Sequence, residues 1–151
     1  MALKPHRVES YTDVSNFMDV AAERGGIVVH VTSGSGSSLD DGGATVAYPT
    51  GTPSGTKPAG LLLNDVVSYD LTRQHLNWYR DEVPVGSKVT VLRQGQVVTN
   101  MVAAVSPTAG ADAYYDASGN LTTVSTNSTK VGRFLGSKDA DGYVKVDINI
   151  T

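Results

Sequence analysis

The sequence predicts an all-β protein: a single-domain sandwich or barrel of short antiparallel strands, with an extended N-terminal arm and long surface loops. Two observations lead to this prediction. β-branched and aromatic residues are grouped in short runs, and turn-forming residues separate these runs at spacings of about 8–12 residues. In the last run, residues 143–150, apolar and polar side chains alternate, as in a strand with one buried and one solvated face.

Length and composition restrict the function classes. The chain has 151 residues, enough for one domain with its own core, and no cysteine, which excludes disulfides and thiolate chemistry. Its formal net charge is -3 and its basic residues are scattered, so we expect no nucleic-acid partner. No apolar run has the length of a membrane span, and the first residues lack the apolar stretch of a secretory signal. We therefore expect no membrane partner and synthesis in a cytoplasm.

The first eight residues are predicted to form the arm, and residues 9–151 a single β-rich domain. The arm contains apolar Leu3 and Val8 and a rigid Pro5, but shows no periodicity. Such a segment is expected to be unable to bury its apolar groups alone. It is then either a frayed end or an arm that orders on a partner.

Residues 12–24 predict a short helix. Its apolar residues recur at helical spacing: Val14, Phe17, Met18, Ala21 and Ala22. Thr12 or Asp13 is a suitable N-cap, and the glycine pair at 25–26 is a suitable stop. Two tight turns are the alternative for this segment.

The middle of the chain predicts strands and long connections. Apolar, β-branched runs predict strands over residues 27–32, 44–48 and 61–69. Residues 33–60 are rich in Gly, Ser, Thr and Pro and predict a long surface loop that contains only the second of these strands. The pattern of residues 70–82, which connect the last of these strands to the next hairpin, fits a helix or a strand equally well.

The remainder of the chain predicts hairpins. Residues 88–92 and 97–102 are expected to pair across a turn at Gln94 and Gly95. Turn signals around Asp116 and Asp139 divide the last third into a β-meander with strands over residues 113–115, 121–124, 130–134 and 143–150.

Residues suited to catalysis are few. The only histidines are His6, His30 and His75, and no serine lies in a Gly-x-Ser-x-Gly motif, so we expect no enzyme. Asp139 and Asp141 begin like a calcium loop, but a strand pattern follows where further ligands are needed. We expect these carboxylates to serve the turn, with no metal and no cofactor.

Two pairs of adjacent aromatic residues are candidates for contacts. They are Trp78 with Tyr79 and Tyr114 with Tyr115. Either pair would suit a platform for a sugar ring. The favoured interpretation places one member of each pair in the core and the other on the surface, where aromatic residues commonly anchor subunit contacts.

Several segments together resemble a known family. In chain order they are DEVPVGSKVTVLRQGQVV, AYYD, SGNLT, KVGRFL and DADGYVKVDI. This order resembles the small β-rich capsid cement, or head decoration, proteins of tailed bacteriophages, and residues 60–102 are especially similar to those of marine and cyanobacterial phages. The resemblance covers residues 25–150.

The resemblance implies a structural protein that binds the outer surface of a phage capsid and stabilises it, after synthesis in the host cytoplasm. The expected partners are the major capsid protein and further copies of this chain, with a trimer favoured. Expected contact residues are Leu3, Pro5, Arg7 and Val8 in the arm, and Trp78, Tyr79 and Arg80 in the central connection. The alternative is a carbohydrate-binding β-module displayed on the virion, with Trp78 on the glycan.

Overall fold

The computed structural model describes residues 2–31, 45–65 and 82–150. These ranges contain strands and no helix, which confirms the all-β prediction. In chain order the strands are β1 (Val8–Met18), β2 (Ala22–Glu23), β3 (Ile27–His30), β4 (Thr45–Ala47), β5 (Pro58–Asp65), β6 (Glu82–Val83), β7 (Lys88–Thr99), β8 (Asp112–Tyr115), β9 (Leu121–Thr122), β10 (Gly132–Phe134) and β11 (Val144–Asn149). Nothing in these ranges is a helix with the length and hydropathy to cross a membrane.

Five strands close into a ring. β1 pairs with β4 in parallel, and antiparallel pairing then continues through β3 and β5 to β7. β7 pairs with β1 along its other edge, so the ring closes as a small barrel. β7 continues past the barrel and carries β11, β10, β8 and β9 as a second sheet. The structure therefore contains both predicted architectures, a barrel and two packed layers of sheet, and β7 belongs to both.

Apolar side chains form two cores. The barrel core draws on every strand of the ring and on β6: Met18, Val28, Val46, Ala59, Leu62, Val83, Val89 and Val91. The interlayer core lies between the outer wall of the barrel and the second sheet and contains, among others, Leu61, Leu92, Tyr115, Phe134 and Ile148.

β3 and β5 are buried on both faces. Successive side chains of a strand point to opposite sides, so Val28 lies in the barrel core while Ile27 and Val29 lie in the interlayer core. In the same way, Leu62 faces the barrel core between Leu61 and Leu63. Burial on both faces explains why both strands read as continuous apolar runs rather than as alternating ones.

The C-terminal meander follows the predicted pattern. Val144, Val146, Ile148 and Ile150 are buried, whereas Lys145 and Asn149 are exposed. The Asp139 carboxylate accepts the backbone N–H groups of Asp141 and Tyr143 at 2.9 and 2.8 Å. The Asp116 carboxylate accepts those of Ser118 and Asn120 at 2.8 and 2.9 Å. Both aspartates therefore close turns, as predicted.

The predicted helix over residues 12–24 is wrong. Most of this stretch belongs to β1, which pairs antiparallel with β7 from Val8 to Phe17. In the strand, Met18 is buried, whereas Val14 remains 45% exposed. The backbone pairing offered by β7 outweighs a short helical pattern, since an isolated helix of this length is marginal.

The predicted hairpin at Gln94 and Gly95 is also wrong. β7 runs unbroken from Lys88 to Thr99. Gly95 is needed because a Cβ there would overlap the carbonyl oxygen of Val8 on the neighbouring strand. A glycine inside a strand here marks the close approach of another backbone rather than a turn.

Two further details of the fold depart from the prediction. The strands are not all short or antiparallel, because β1 and β7 have 11 and 12 residues and β1 and β4 are parallel. β5 begins at Pro58, within the predicted loop of residues 33–60. Residues 32–44 and 66–81, which hold the first part of that loop and most of the 70–82 connection, lie outside the described ranges.

The interlayer core predicts the effect of a buried charge. Val146 is fully buried on β11, so we expect Val146→Asp to unfold or aggregate the protein. An unpaired buried carboxylate costs several kcal/mol, against a typical total stability of ~5–15 kcal/mol. Lys145→Asp, on the solvent side of the same strand, should change the urea midpoint only slightly. Equal effects of the two substitutions would contradict this register.

The backbone packing of β10 predicts a steric effect. A Cβ on Gly132 would overlap the carbonyl oxygen of Asp147, whereas one on Gly136 would meet open space. Neither glycine has a positive φ, so the two differ mainly in the room available. We expect Gly132→Ala to cost at least ~1–3 kcal/mol, as overpacking does, and Gly136→Ala to be neutral by thermal unfolding. A neutral Gly132→Ala would show that β10 and β11 are not in close backbone contact.

Candidate functional site

The N-terminal segment, residues 2–4, lies against the end of β7. The Lys4 N–H donates to the Val98 carbonyl at 2.9 Å, and the Asn100 N–H donates to the Ala2 carbonyl at 3.0 Å. Leu3 and Thr99 form the antiparallel bridge between these two hydrogen bonds. The Ala2 N–H donates to the Glu23 carboxylate at 3.1 Å. This part of the predicted arm is therefore paired with the body of its own chain.

Leu3 is part of the interlayer core. Its side chain is 4% exposed, and that of Ala2 is 3% exposed. The expectation that the apolar groups of the arm cannot be buried by the chain itself is wrong for these two residues. The physical reason is that β1 begins opposite Gln96, which leaves the same edge of β7 open from Val98 onward, and residues 2–4 pair with that edge.

Three of the predicted contact residues do come together. Pro5, Arg7 and Val8 line a recess of about 340 Å³ with His6, Gln96 and Lys145. Residues 5–8 are exposed, and Val8 has 56% of its surface accessible. The Arg7 guanidinium forms an ion pair with the Glu9 carboxylate, which holds the side chain beside the recess.

The recess continues across a polar surface of the second sheet. We call this surface the outer face; it consists of the solvent-side residues of β7, β11 and β10: Gln94, Gln96, Lys145, Asp147, Asn149 and Arg133. Its cross-strand neighbours include Gln96 with Asp147 and Asp147 with Arg133. Gln96, Asp147 and Arg133 therefore form a row across three strands, in which the opposite charges of Asp147 and Arg133 favour their pairing.

The row ends in an ion pair at the edge of the sheet. Arg133 lies opposite Asp112 on β8. The Lys130 ammonium is 2.7 Å from the Asp112 carboxylate, and this hydrogen bond holds the pKa of Asp112 below its usual value. Because both side chains are largely exposed, the pair contributes more to the charge pattern of the surface than to stability.

β1 adds apolar surface next to the recess. Its exposed apolar side chains include Val8, Tyr11 and Val14. The Arg93 guanidinium carbon lies 5.5 Å from the centre of the Tyr11 ring, a cation–π distance. A hydrogen bond from the Ser15 hydroxyl lowers the pKa of Asp13 on the same strand. Tyrosine and arginine are enriched in protein contact surfaces, so the Tyr11–Arg93 pair extends the candidate surface along β1.

The opposite end of the barrel has an apolar cleft of about 430 Å³. Its wall includes Val20, Ala21, Val31, Ala47 and Pro49. Nearby, the Tyr48 hydroxyl donates to the Glu23 carbonyl at 2.6 Å and accepts the Gly26 N–H at 3.1 Å. Burial raises the pKa of Tyr48. The Tyr48 hydroxyl therefore has a structural role: its hydrogen bonds join the residue that follows β4 to β2 and to the connection between β2 and β3.

The other predicted candidates are placed as follows. Tyr115 is buried in the interlayer core and its hydroxyl lies 2.7 Å from the Thr56 hydroxyl, whereas Tyr114 is half-buried. This confirms the expectation that one member of this pair belongs to the core. Trp78, Tyr79 and Arg80 lie outside the described ranges.

Sequence reasoning missed part of this surface. The sequence pattern places Val14 in a helix, Tyr11 just before that helix, and Gln96 between a turn and the second strand of a hairpin. The sequence does predict the position of Lys145, because the alternation of residues 143–150 places it on the solvated face of a strand. Nothing local in the sequence shows that residues 5–8 pack beside Lys145, because that contact depends on pairing between distant strands.

Within the described ranges, no group of three or more carboxylates and histidines has the arrangement of a metal site.

Comparison with known proteins identifies the family. A family model described as structural cement protein (E217 gp24/Pam3 gp6) matches residues 4–149. A search of curated individual proteins finds no match. The matched range runs from Lys4 to the end of β11, and so includes the outer face, all the residues that line the recess and all of both cores except Leu3 and Ile150. The chain belongs to the phage structural cement protein family, and this membership implies association with the phage capsid.

Proposed function

We propose that this protein binds the outer surface of a phage head and stabilises it without catalysing a reaction. The observation that carries the proposal is the family match over residues 4–149. In this role each molecule bridges neighbouring copies of the major capsid protein, and the surface buried at both contacts resists their separation. Synthesis in the host cytoplasm is part of the proposal.

The outer face and the recess beside it are the proposed contact surface. Extended strands hold side chains at fixed spacings, so a row such as Gln96, Asp147 and Arg133 presents a defined pattern of amides and charges to a partner. Lys145 is exposed and has no ion-pair partner among the described residues, so its charge is available to a carboxylate of the capsid. Contacts of this kind favour correct orientation and weaken with salt.

Residues 5–8 extend the proposed contact surface. Pro5, Arg7 and Val8 are exposed at the edge of the recess, whereas Leu3 acts from the core by holding residues 2–4 in place. Trp78, Tyr79 and Arg80 remain expected contacts in the central connection. We retain the division into an arm, residues 1–8, and one domain, residues 9–151, as part of the proposal.

A trimer is the proposed oligomer. Capsids present symmetric sites, and a symmetric oligomer engages several equivalent subunits at once. Linked contacts of modest strength raise the overall affinity by ~10²–10⁴ without any new interaction. Exposed polar surfaces of the kind seen on the outer face are therefore sufficient for stable attachment when several act together.

The anchoring of Leu3 predicts the stability effect of changes in the N-terminal segment. Leu3→Ala removes buried side-chain atoms and should lower the free energy of unfolding by ~2–5 kcal/mol in urea titration. Val8→Ala, at an exposed position of the neighbouring strand, should change it by less than ~0.5 kcal/mol. Similar values for both would mean that residues 2–4 detach in solution.

The proposed contact surface predicts loss of binding on charge reversal. Purified protein is added to closed, undecorated heads, and the retained copies are measured by sedimentation. Wild-type retention on closed heads would place the contact on the outside. Lys145→Asp should stay folded and bind about tenfold more weakly if each reversed contact loses about 1.4 kcal/mol.

The matched control is Lys57→Asp. Lys57 is also exposed but lies just before β5, outside the residues that line the recess. The Lys57→Asp variant should be retained on the heads like the wild type. Equal loss by both variants would indicate a general charge effect, and equal retention of both would exclude the outer face as the contact surface. Failure of the wild type to bind would contradict the proposed function itself.

A further inference from the structure

The N-terminal segment is held as a separate strand piece. Residues 2–4 have two backbone hydrogen bonds to the end of β7, and pairing with β7 resumes at Val8 opposite Gln96. Residues 5–7, between these two pairings, are exposed and make no strand pairing. Pro5 has no N–H to offer to a ladder. The segment is therefore joined to the body by a short connection that contributes little to its attachment.

This connection is longer than the distance it spans. Along β7 the two attachment points, Val98 and Gln96, are two residues apart, about 7 Å at strand spacing. From Lys4 to Val8 the chain has four residue steps, about 13 Å when extended. Straightening residues 5–7 would therefore move the N-terminal segment by roughly 6 Å relative to β1 without breaking any pairing of β1.

A groove at the end of β7 receives the N-terminal segment. Leu3 fills a gap in the interlayer core beside Thr99. The Thr99 hydroxyl donates to the Gly25 carbonyl at 2.9 Å, and this hydrogen bond holds the wall of the groove in position. The Lys4 ammonium lies 4.3 Å from the centre of the Tyr143 ring. All these contacts are local to residues 2–4, so the same residues of another copy would make them equally well.

We propose that residues 2–4 exchange between copies, so that the segment of one molecule occupies the groove at the end of β7 in its neighbour. Exchange keeps every contact of the segment and changes only residues 5–7, which makes it a low-cost route to an oligomer. The occupant of the groove is then a second copy of this chain. Successive exchange in one direction closes a ring when the rotation between copies permits it.

Engineered thiols test the exchange directly, because the chain has no cysteine. Lys4 and Val98 are neighbours across the segment–β7 pairing, where Cα atoms are about 5.5 Å apart, within disulfide reach. Lys4→Cys and Val98→Cys variants with different affinity tags are mixed at high concentration, oxidised, and examined on a non-reducing gel. Exchange holds these two thiols side by side in different molecules, whereas random collision joins them only at the background rate that the control pair measures.

The control pair is Lys4→Cys with Val85→Cys. Val85 is 65% exposed and precedes the first residue of β7, whereas the groove lies at the last residues of that strand. We expect the Lys4–Val98 mixture to give several-fold more mixed-tag dimer than the control mixture. Equal yields from the two mixtures would overturn the proposal.

The variant with both cysteines in one chain provides a second measurement. At low concentration it should close within one molecule, and at high concentration it should form covalent multimers whose largest member reports the size of the ring. Closure only within single molecules at every concentration would also overturn the proposal. Neither experiment uses capsids, so exchange can fail while binding to heads is retained, and the reverse.

Discussion

The fold depends on the backbone pairing of β7. One of its edges is paired with β1 and then with the N-terminal segment, while the other is paired first with β5 and then with β11. A single strand therefore belongs to the barrel and to the second sheet, and its side chains reach both cores. Val91 lies in the barrel core and the adjacent Leu92 in the interlayer core. Displacing β7 would disrupt the ring, the second sheet and the seat of the N-terminal segment together.

Sharing one strand between two layers requires close backbone approach. Gly95 lies where β1, β7 and β11 meet, opposite Glu9 on one side and Ile148 on the other. Gly60 lies where β5 crosses β7, and a Cβ there would overlap the Val91 side chain. Both glycines have positive φ, which side chains rarely adopt. The composition of the chain, rich in glycine, therefore serves contacts between strands as well as turns.

The sequence predicted what depends on local pattern. The alternation of residues 143–150 assigned the buried face of β11, and the turn signals at Asp116 and Asp139 marked two turns that the structure contains. Properties that depend on distant residues were not predictable. The helical spacing of Val14 and Phe17 is overruled by pairing with β7, and Gly95 looks like a turn until the backbone of Val8 is placed beside it. The burial of Leu3 likewise needs the end of β7, which is almost a hundred residues away in sequence.

The two proposals meet in the connection formed by residues 5–7. These residues line the recess with Gln96 and Lys145, and they are also the hinge that would have to straighten for exchange. If the segment of one copy enters the groove of the next, the wall of each recess changes its shape and the neighbouring copy approaches the outer face. Assembly of the oligomer and shaping of the capsid contact would then be a single event. Modest individual contacts would act together only in the assembled form, which is the form in which linked sites raise affinity.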